Sequence, residues 1–355
     1  MRQSPATPGR VEESVPAISV LIVNFNGESY LQAALDSLRR QTFRDFEVIV
    51  VDNASTDGSA DNLNADGLPG FRLLKQDSNL GFAAGSNVGV TASTAPWVAM
   101  LNPDAEAKPD WLDRIMDGIS RYPDVRMFTC TQLALGNEAL LDGAGDNYLG
   151  IGIPWRGGFG REASELPGEG ECFSPCGASA VFHRETYLGF GGFDERFFCY
   201  CEDVDLGYRM RLAGERCIFL PQAVVSHAGS GISGRVSEFA LFHGTRNRLW
   251  TYVKNTPAPL LVLTLPGHVA MTLAILLRGA LKGHGGPVWR GLVAGIAGLG
   301  RIRADPSYGP PERTASLGDL MHAMAWNPMD LLGRRVVVRP LDETVPPPRL
   351  DVVRS

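Results

Sequence analysis

The 355-residue chain is 44% hydrophobic and 20% charged, the balance of a soluble globular protein with one large domain and an appendage, or with two domains. Its 33 Lys and Arg against 39 Asp and Glu give a net charge of −6, no reason to expect nucleic-acid binding. The 6 cysteines form no C-x-x-C pair, which excludes a zinc ribbon or dithiol redox motif and leaves reduced thiols as the expectation.

Residues 1–17, with Pro5, Pro8 and Pro16, read as a disordered lead-in. The run ISVLIV at 18–23 reads as a buried strand. Six apolar residues fall short of the roughly 7 to 15 of a secretory signal, so a cytoplasmic chain is expected. A turn at 24–27 leads into a helix in which Leu31, Ala34, Leu35 and Leu38 recur at i, i+3, i+4 and i+7. A second strand at 46–51 ends at Asp52. Strand, helix and strand in this order imply a parallel unit that binds ligands beyond the carboxyl ends of its strands, where Asn24 and Asp52 sit. A short strand at 71–74, a turn and helix at 79–91 and a strand at 97–101 bring Asn102 and Asp104 to the same rim. Beyond Asp110 a helix is expected near 111–121. The glycine-rich stretch at 143–170 reads equally as a substrate loop or an irregular connection, and a helix opens at Glu202, Asp203 and Asp205.

Each polar cluster has a bland reading beside a chemical one. Asp52 either caps the turn at 52–58 or accepts hydrogen bonds from a base or ribose. The glycines at 81, 85 and 89 either let backbone N–H groups approach phosphate or allow close packing of helix on strand. Glu202, Asp203 and Asp205 suit a helix N-terminus whatever their role. A dehydrogenase would carry G-x-G-x-x-G after the first strand and a P-loop enzyme G-x-x-x-x-G-K-[ST]; neither is present.

Six segments in fixed order, SVLIVNFNG at 19–27, VVDNASTDGS at 50–59, NLGFAAGSNVG at 79–89, LNPD at 101–104, GGFDE at 191–195 and YCEDVDL at 200–206, resemble the inverting glycosyltransferases of family 2, in particular the rhamnosyltransferase-like branch. The resemblance covers roughly residues 18–255. It implies an α/β fold of Rossmann-like, nucleotide-sugar-binding glycosyltransferase A type with a mostly parallel central sheet. It also implies a nucleotide-sugar donor, a glycan or polyprenyl-linked acceptor, and transfer in surface polysaccharide synthesis. Donor contacts are then expected from Asn24, Phe25, Asn26, Asp52, Asn79, Gly81, Gly85, Asn87, Asn102 and Asp104. Arg246 in RNRLW at 246–250 serves as diphosphate clamp, or alternatively as a lipid-phosphate contact. Asp203 is the expected base, with Glu202 and Asp205 beside it. Gly177 and Ala178 lie on the acceptor side, and Asp194 either contacts sugar or closes its turn. Asn102 stands where relatives carry the first carboxylate of Asp-x-Asp. A divalent cation, Mn²⁺ or Mg²⁺, is therefore expected on Asp104 and His227, with lower affinity than two carboxylates would give. Asn102 also motivates the alternative reading, a catalytically degenerate binding or assembly subunit.

Residues 240–303 hold 8 Lys and Arg and no Asp or Glu, while residues 255–277 carry no formal charge. This asymmetry points to a membrane surface or a polyanionic partner, and together with the resemblance it implies the inner face of the cytoplasmic membrane. Pro266 is expected to break the apolar run into a surface hairpin, with a true span or a dimer face as alternatives. The resulting division is 1–17; a catalytic domain at 18–235, with a donor half at 18–105 and an acceptor half at 106–235; a basic apolar helical membrane-associating region at 236–304; and a tail at 305–355.

Overall fold

The computed structural model describes residues 15–229, 237–304, 306–308 and 312–341. Most of the expected lead-in, and Ser230 of the histidine segment, fall outside these residues.

The first strand, β1 (Ile18–Asn24), and the second, β2 (Phe46–Asp52), are buried along their whole length. Their near-continuous apolar sequence marks strands covered on both faces. Between them α1 (Glu28–Arg39) buries Leu31, Ala34, Leu35 and Leu38 against one face of the sheet. The strand β3 (Arg72–Lys75) pairs parallel with β2, and α2 (Gly81–Ala92) covers the opposite face. Then β4 (Trp97–Met100) returns to the other side of β1. The chain thus leaves β1 in both directions, and the crevice above its carboxyl end is a topological switch point.

The short β5 (Ala105–Ala107) precedes α3 (Trp111–Arg121), β6 (Met127–Ala134) and β7 (Asn137–Ala144). The glycine-rich stretch is not irregular throughout. It contains a hairpin of β8 (Asp146–Leu149) and β9 (Ile153–Arg156), then β10 (Gly170–Cys172). After β11 (Ala180–His183) come α4 (Arg184–Gly189), α5 (Glu202–Leu212) and the long β12 (Cys217–His227). Along the sheet the order is β10-β12-β6-β11-β4-β1-β2-β3, with β5 on β12 and β7 on β6. All but β10 and β11 on that path run the same way. The register of β12 on β5 sets His227 opposite Ala105, which brings the histidine to Asp104 from 123 residues away in sequence.

Beyond the sheet α6 (Glu238–Asn255), α7 (Ala258–Leu281) and α8 (Gly285–Ala297) follow. The expected break at Pro266 does not occur: α7 runs through it as one helix. A proline removes one ladder bond, but tertiary contacts hold the chain helical on its far side. A Cβ on Gly267 would meet Ile151 at 2.8 Å, and His268 bonds the Ile151 carbonyl at 2.8 Å and stacks on Tyr252 at 4.0 Å. Leu260, Thr264, His268 and Thr272, four residues apart, form the buried stripe of α7. The described part of the tail packs back on the sheet domain. Glu171 and Arg339 pair backbone to backbone, and Trp155 donates its indole N–H to the Arg335 carbonyl.

Candidate active site

Two adjoining cavities lie above the switch point. The first, of about 210 Å³, is lined by Phe25, Asn53, Asn79, Gly81, Asn102, Asp104 and His227 among others. The second, of about 350 Å³, is lined by Asp146, Trp155, Gly177, Ala178, Glu202, Asp203 and Arg248 among others. Phe82, Asn102, Arg156, Cys199 and Tyr200 border both, so the two are one continuous space.

In the first cavity Phe25 is exposed at the mouth and offers a stacking face. Gly81, at φ +84°, has no room for a side chain, because a Cβ would sit 2.5 Å from the Phe198 carbonyl oxygen. The sequence reading missed Asn53. Its side-chain N–H donates to the Gly81 carbonyl at 3.0 Å, while its buried Oδ1 has no partner among the described residues. The neighbouring Asp52 spends its carboxylate on the turn, accepting from Asn24 at 2.9 Å and from the Ser55 hydroxyl at 2.6 Å. Asn24 is buried and ties Asp52, Ser55 and Ser59 together, and Asn26 accepts from the Thr56 N–H at 2.9 Å. These three residues shape the turn, and none of them lines either cavity.

The Asp104 carboxylate lies 3.1 Å from His227 Nε2, and the Asn102 amide 3.2 Å from the same nitrogen. On the other side of the ring Nδ1 meets Asp142 at 2.7 Å, and Arg156 in turn donates to Asp142 at 2.6 Å. Burial would push His227 down, but its hydrogen bonds to Asp104 and Asp142 outweigh it and raise its proton affinity. A carboxylate behind a ring nitrogen is the usual outer support of a metal-bound histidine, since it turns the other nitrogen toward the ion. Carboxylate, imidazole and amide oxygen form a donor set that fits a divalent cation.

In the second cavity Asp203 accepts from the Gly177 N–H at 2.7 Å and from its own helix at the Val204 N–H, 2.8 Å. Asp146, from the β8–β9 hairpin, is hydrogen-bonded to Asp203, and their oxygens lie within 4.8 Å of each other and of Cys176 Sγ. Burial raises both carboxyls above the usual range; the Asp203 charge raises Asp146 further, whereas the two N–H donors pull Asp203 back. The Asp203 charge therefore favours the proton on Asp146, and the two N–H donors favour the ionised form of Asp203. Burial and the Asp203 charge likewise raise Glu202, whose Oε2 is unpartnered among the described residues.

The loop that presents these acids is strained: Phe198, Tyr200 and Cys201 have φ of 65°, 72° and 66°. Asn247 holds it by donating to the carbonyls of Phe197, Cys199 and Tyr200 at 2.9, 2.8 and 2.7 Å.

Several expected site residues are placed elsewhere. Asp205, two residues along the helix from Asp203, points away from the cavity and is fully buried among Arg209, Lys254 and Asn255 at 2.8 to 2.9 Å. Asp194 closes its turn on Arg196 and accepts from Lys254 at 2.8 Å. Asn87 locks the same segment through the Phe193 backbone and Glu195, and Gly85 is a packing position whose Cβ would meet Val23 at 2.7 Å. Arg246 lies over Trp250 at 4.4 Å and bonds the Arg196 and Phe197 carbonyls, outside both cavities. The helix face that meets the second cavity carries Ala240, Gly244 and Arg248, at a spacing of four. The cations that line the site are therefore Arg156 and Arg248, neither of which the sequence reading singled out.

Residues 19–166 match the family model Glycosyl transferase family 2. The N-acetylglucosaminyl-diphospho-decaprenol L-rhamnosyltransferase of Mycobacterium tuberculosis is 29% identical over 297 residues, covering 75% of this chain and 94% of that one. Among solved structures, a mannosyltransferase from Pyrobaculum calidifontis in complex with GDP-Man and Mn²⁺ superposes with a TM-score of 0.51 at 19% identity, over 81% of this chain and 88% of that one. GalNAc-T7 with UDP, GalNAc and Mn²⁺ gives a TM-score of 0.53 at 16% identity, over 68% of this chain and about half of that one, 48%. At these identities the two structures establish the fold, the glycosyltransferase A type with its mixed, mostly parallel sheet.

Proposed function

We propose that this chain, which matches the family 2 glycosyltransferase model over residues 19–166, transfers a sugar, L-rhamnose, from a nucleoside diphosphate to a hydroxyl of a polyprenyl-linked glycan, with inversion. The observation that carries this reading is the continuous double cavity: a first chamber walled by Phe25, Asn53, Asp104 and His227, and a second with the Asp203 carboxyl at its wall. The Mycobacterium tuberculosis relative, named for L-rhamnose transfer to a decaprenol-linked N-acetylglucosamine, supports the choice of sugar and acceptor.

The donor base lies against Phe25 and meets the unpartnered Asn53 oxygen. Asp104, His227 and Asn102 would hold a divalent cation, which when bound would neutralise charge on the leaving diphosphate. Arg156 adds a fixed cation where the chambers meet. Asp203 takes the acceptor proton as that oxygen bonds to the anomeric carbon and the bond from that carbon to the diphosphate oxygen breaks. One displacement inverts the centre. Asp146 orients the base by donating its proton as a hydrogen bond.

α7 lies in the membrane surface and does not cross it. It is long and apolar enough to span, but its buried stripe is fastened to the β8–β9 hairpin at Ile151 and to α6 at Tyr252 and Arg248. Val262, Leu263, Val269, Leu273 and Leu277 are exposed, joined by Trp289 and Val293 of α8, and Arg278, Lys282 and Arg290 are exposed beside them. Such a face buries apolar side chains at the acyl boundary while its cations meet anionic headgroups. Part of the basic run is turned inward, since Arg248 and Lys254 are buried.

The test is a donor panel of dTDP-, UDP- and GDP-sugars against N-acetylglucosamine linked through diphosphate to a short prenyl chain, with mass-spectrometric detection of product. No transfer from any donor would refute the reading.

A further inference from the structure

Arg248 is only 7% exposed, yet it has no carboxylate partner among the described residues. Among the described residues its one hydrogen bond is long, 3.3 Å, from a terminal nitrogen to the Thr272 hydroxyl of α7, and its buried Nε has no partner there. The titratable groups around it supply no countercharge. Burial keeps the Cys201 thiol and Tyr148 phenol protonated, and burial together with nearby Arg248 pushes His268 down to about 4. A buried guanidinium left without an anion is costly, and this one lines the second cavity. In the same cavity Gly177, Val204 and Asp146 already bind the Asp203 carboxylate. One chamber is thus lined both by the Asp203 carboxyl and by the Arg248 guanidinium, which bonds to α7, the helix that carries the exposed apolar face.

We propose that Arg248 binds a phosphate of the lipid-linked acceptor, so that the enzyme selects acceptors carrying an anionic phosphodiester or diphosphate between sugar and prenyl chain. The guanidinium fork matches two phosphate oxygens. The sugar hydroxyl then faces Asp203 while the prenyl chain leaves along α7 toward the bilayer. This inference rests on the transferase reading above and specifies its acceptor.

The experiment compares two acceptors in phosphate-free detergent micelles: N-acetylglucosamine diphosphate on a short prenyl chain, and the uncharged octyl glycoside of the same sugar. Wild-type protein should favour the charged acceptor in kcat/KM by at least ~10-fold, the order expected for one charge-assisted hydrogen-bonded contact. In Arg248→Gln that preference should collapse, chiefly through the acceptor KM, with the donor KM unmoved. Arg248→Lys, which keeps the charge, should restore part of it. A folded Arg248→Gln protein with the full preference overturns the proposal. So does a wild type that uses both acceptors equally, although transfer itself then stands. A wild type that transfers to neither overturns the acceptor reading as well. If Arg248→Gln alters only attachment to phosphatidylglycerol vesicles, the phosphate belongs to a headgroup and the assignment to the acceptor is wrong.

Discussion

Asp203 and Asp205 stand two residues apart in one acidic run, and their surroundings assign them opposite sensitivities. In Asp203→Asn the acceptor proton loses its destination, which should reduce kcat by ~10²- to 10⁴-fold, about 2.7 to 5.4 kcal/mol in the barrier. The fold should lose much less. The carboxylate accepts from two N–H groups, at 2.7 and 2.8 Å, and an amide has one oxygen for them, so one bond worth about 1.5 to 3 kcal/mol is lost. Relief of repulsion with Asp146 and Glu202 offsets part of that loss. Asp205→Asn instead leaves Arg209 without its carboxylate partner in a fully buried network, at a cost of about 3 to 5 kcal/mol in stability. The assay is kcat at saturating donor and acceptor, with donor binding by calorimetry and unfolding in urea for both variants. If Asp203→Asn turns over within 10-fold of wild type, or if Asp205→Asn is as stable as wild type yet inactive, the division between base and scaffold is wrong.

Removal of metal by chelator should abolish transfer, and Asp104→Ala and His227→Ala should each raise the Mn²⁺ concentration giving half-maximal rate by at least ~10-fold; full activity in chelator would show that Arg156 and other protein cations suffice. Burial raises Asp203 while the Asp146 hydrogen bond lowers it, so activity should fall as pH drops through a limb above the usual carboxylate range, and Asp146→Ala should move that limb upward. A downward move would mean that Asp146 is ionised at working pH. The full chain should sediment with anionic vesicles and be partly released at 1 M salt, where the Debye length is roughly 3 Å. Replacing Leu263, Leu273 and Leu277 together by Glu should abolish sedimentation, and retention of that variant on vesicles would exclude the α7 face.

Local patterns were enough for residues 18–101. The apolar runs at 18–23 and 46–51 and the Leu31–Ala34–Leu35–Leu38 spacing encode buried parallel strands and a covering helix, because burial on both faces and the 3.6-residue period are properties of short segments. The placement of Asp104 and of Asp203 at the head of a helix was legible for the same reason. What sequence order could not resolve was direction. Asp203 and Asp205 read alike as acids at a helix start, and only the packing of α6 shows that one faces a cavity and the other Lys254. Arg246 and Arg248 likewise sit two positions apart on α6 and face different surroundings, and the choice between them lies in which side of the helix meets the catalytic domain. Asp146 and Arg156 reach the site from a hairpin hidden in a glycine-rich stretch, through pairing whose partners are set by the whole sheet. Pro266 carried a strong local signal for a break, and contacts with Ile151 and Tyr252 overrode it. Segments of a dozen residues determine which elements form; the side chains that share a cavity are decided by contacts between residues tens to hundreds of positions apart, and those exist only in the folded chain.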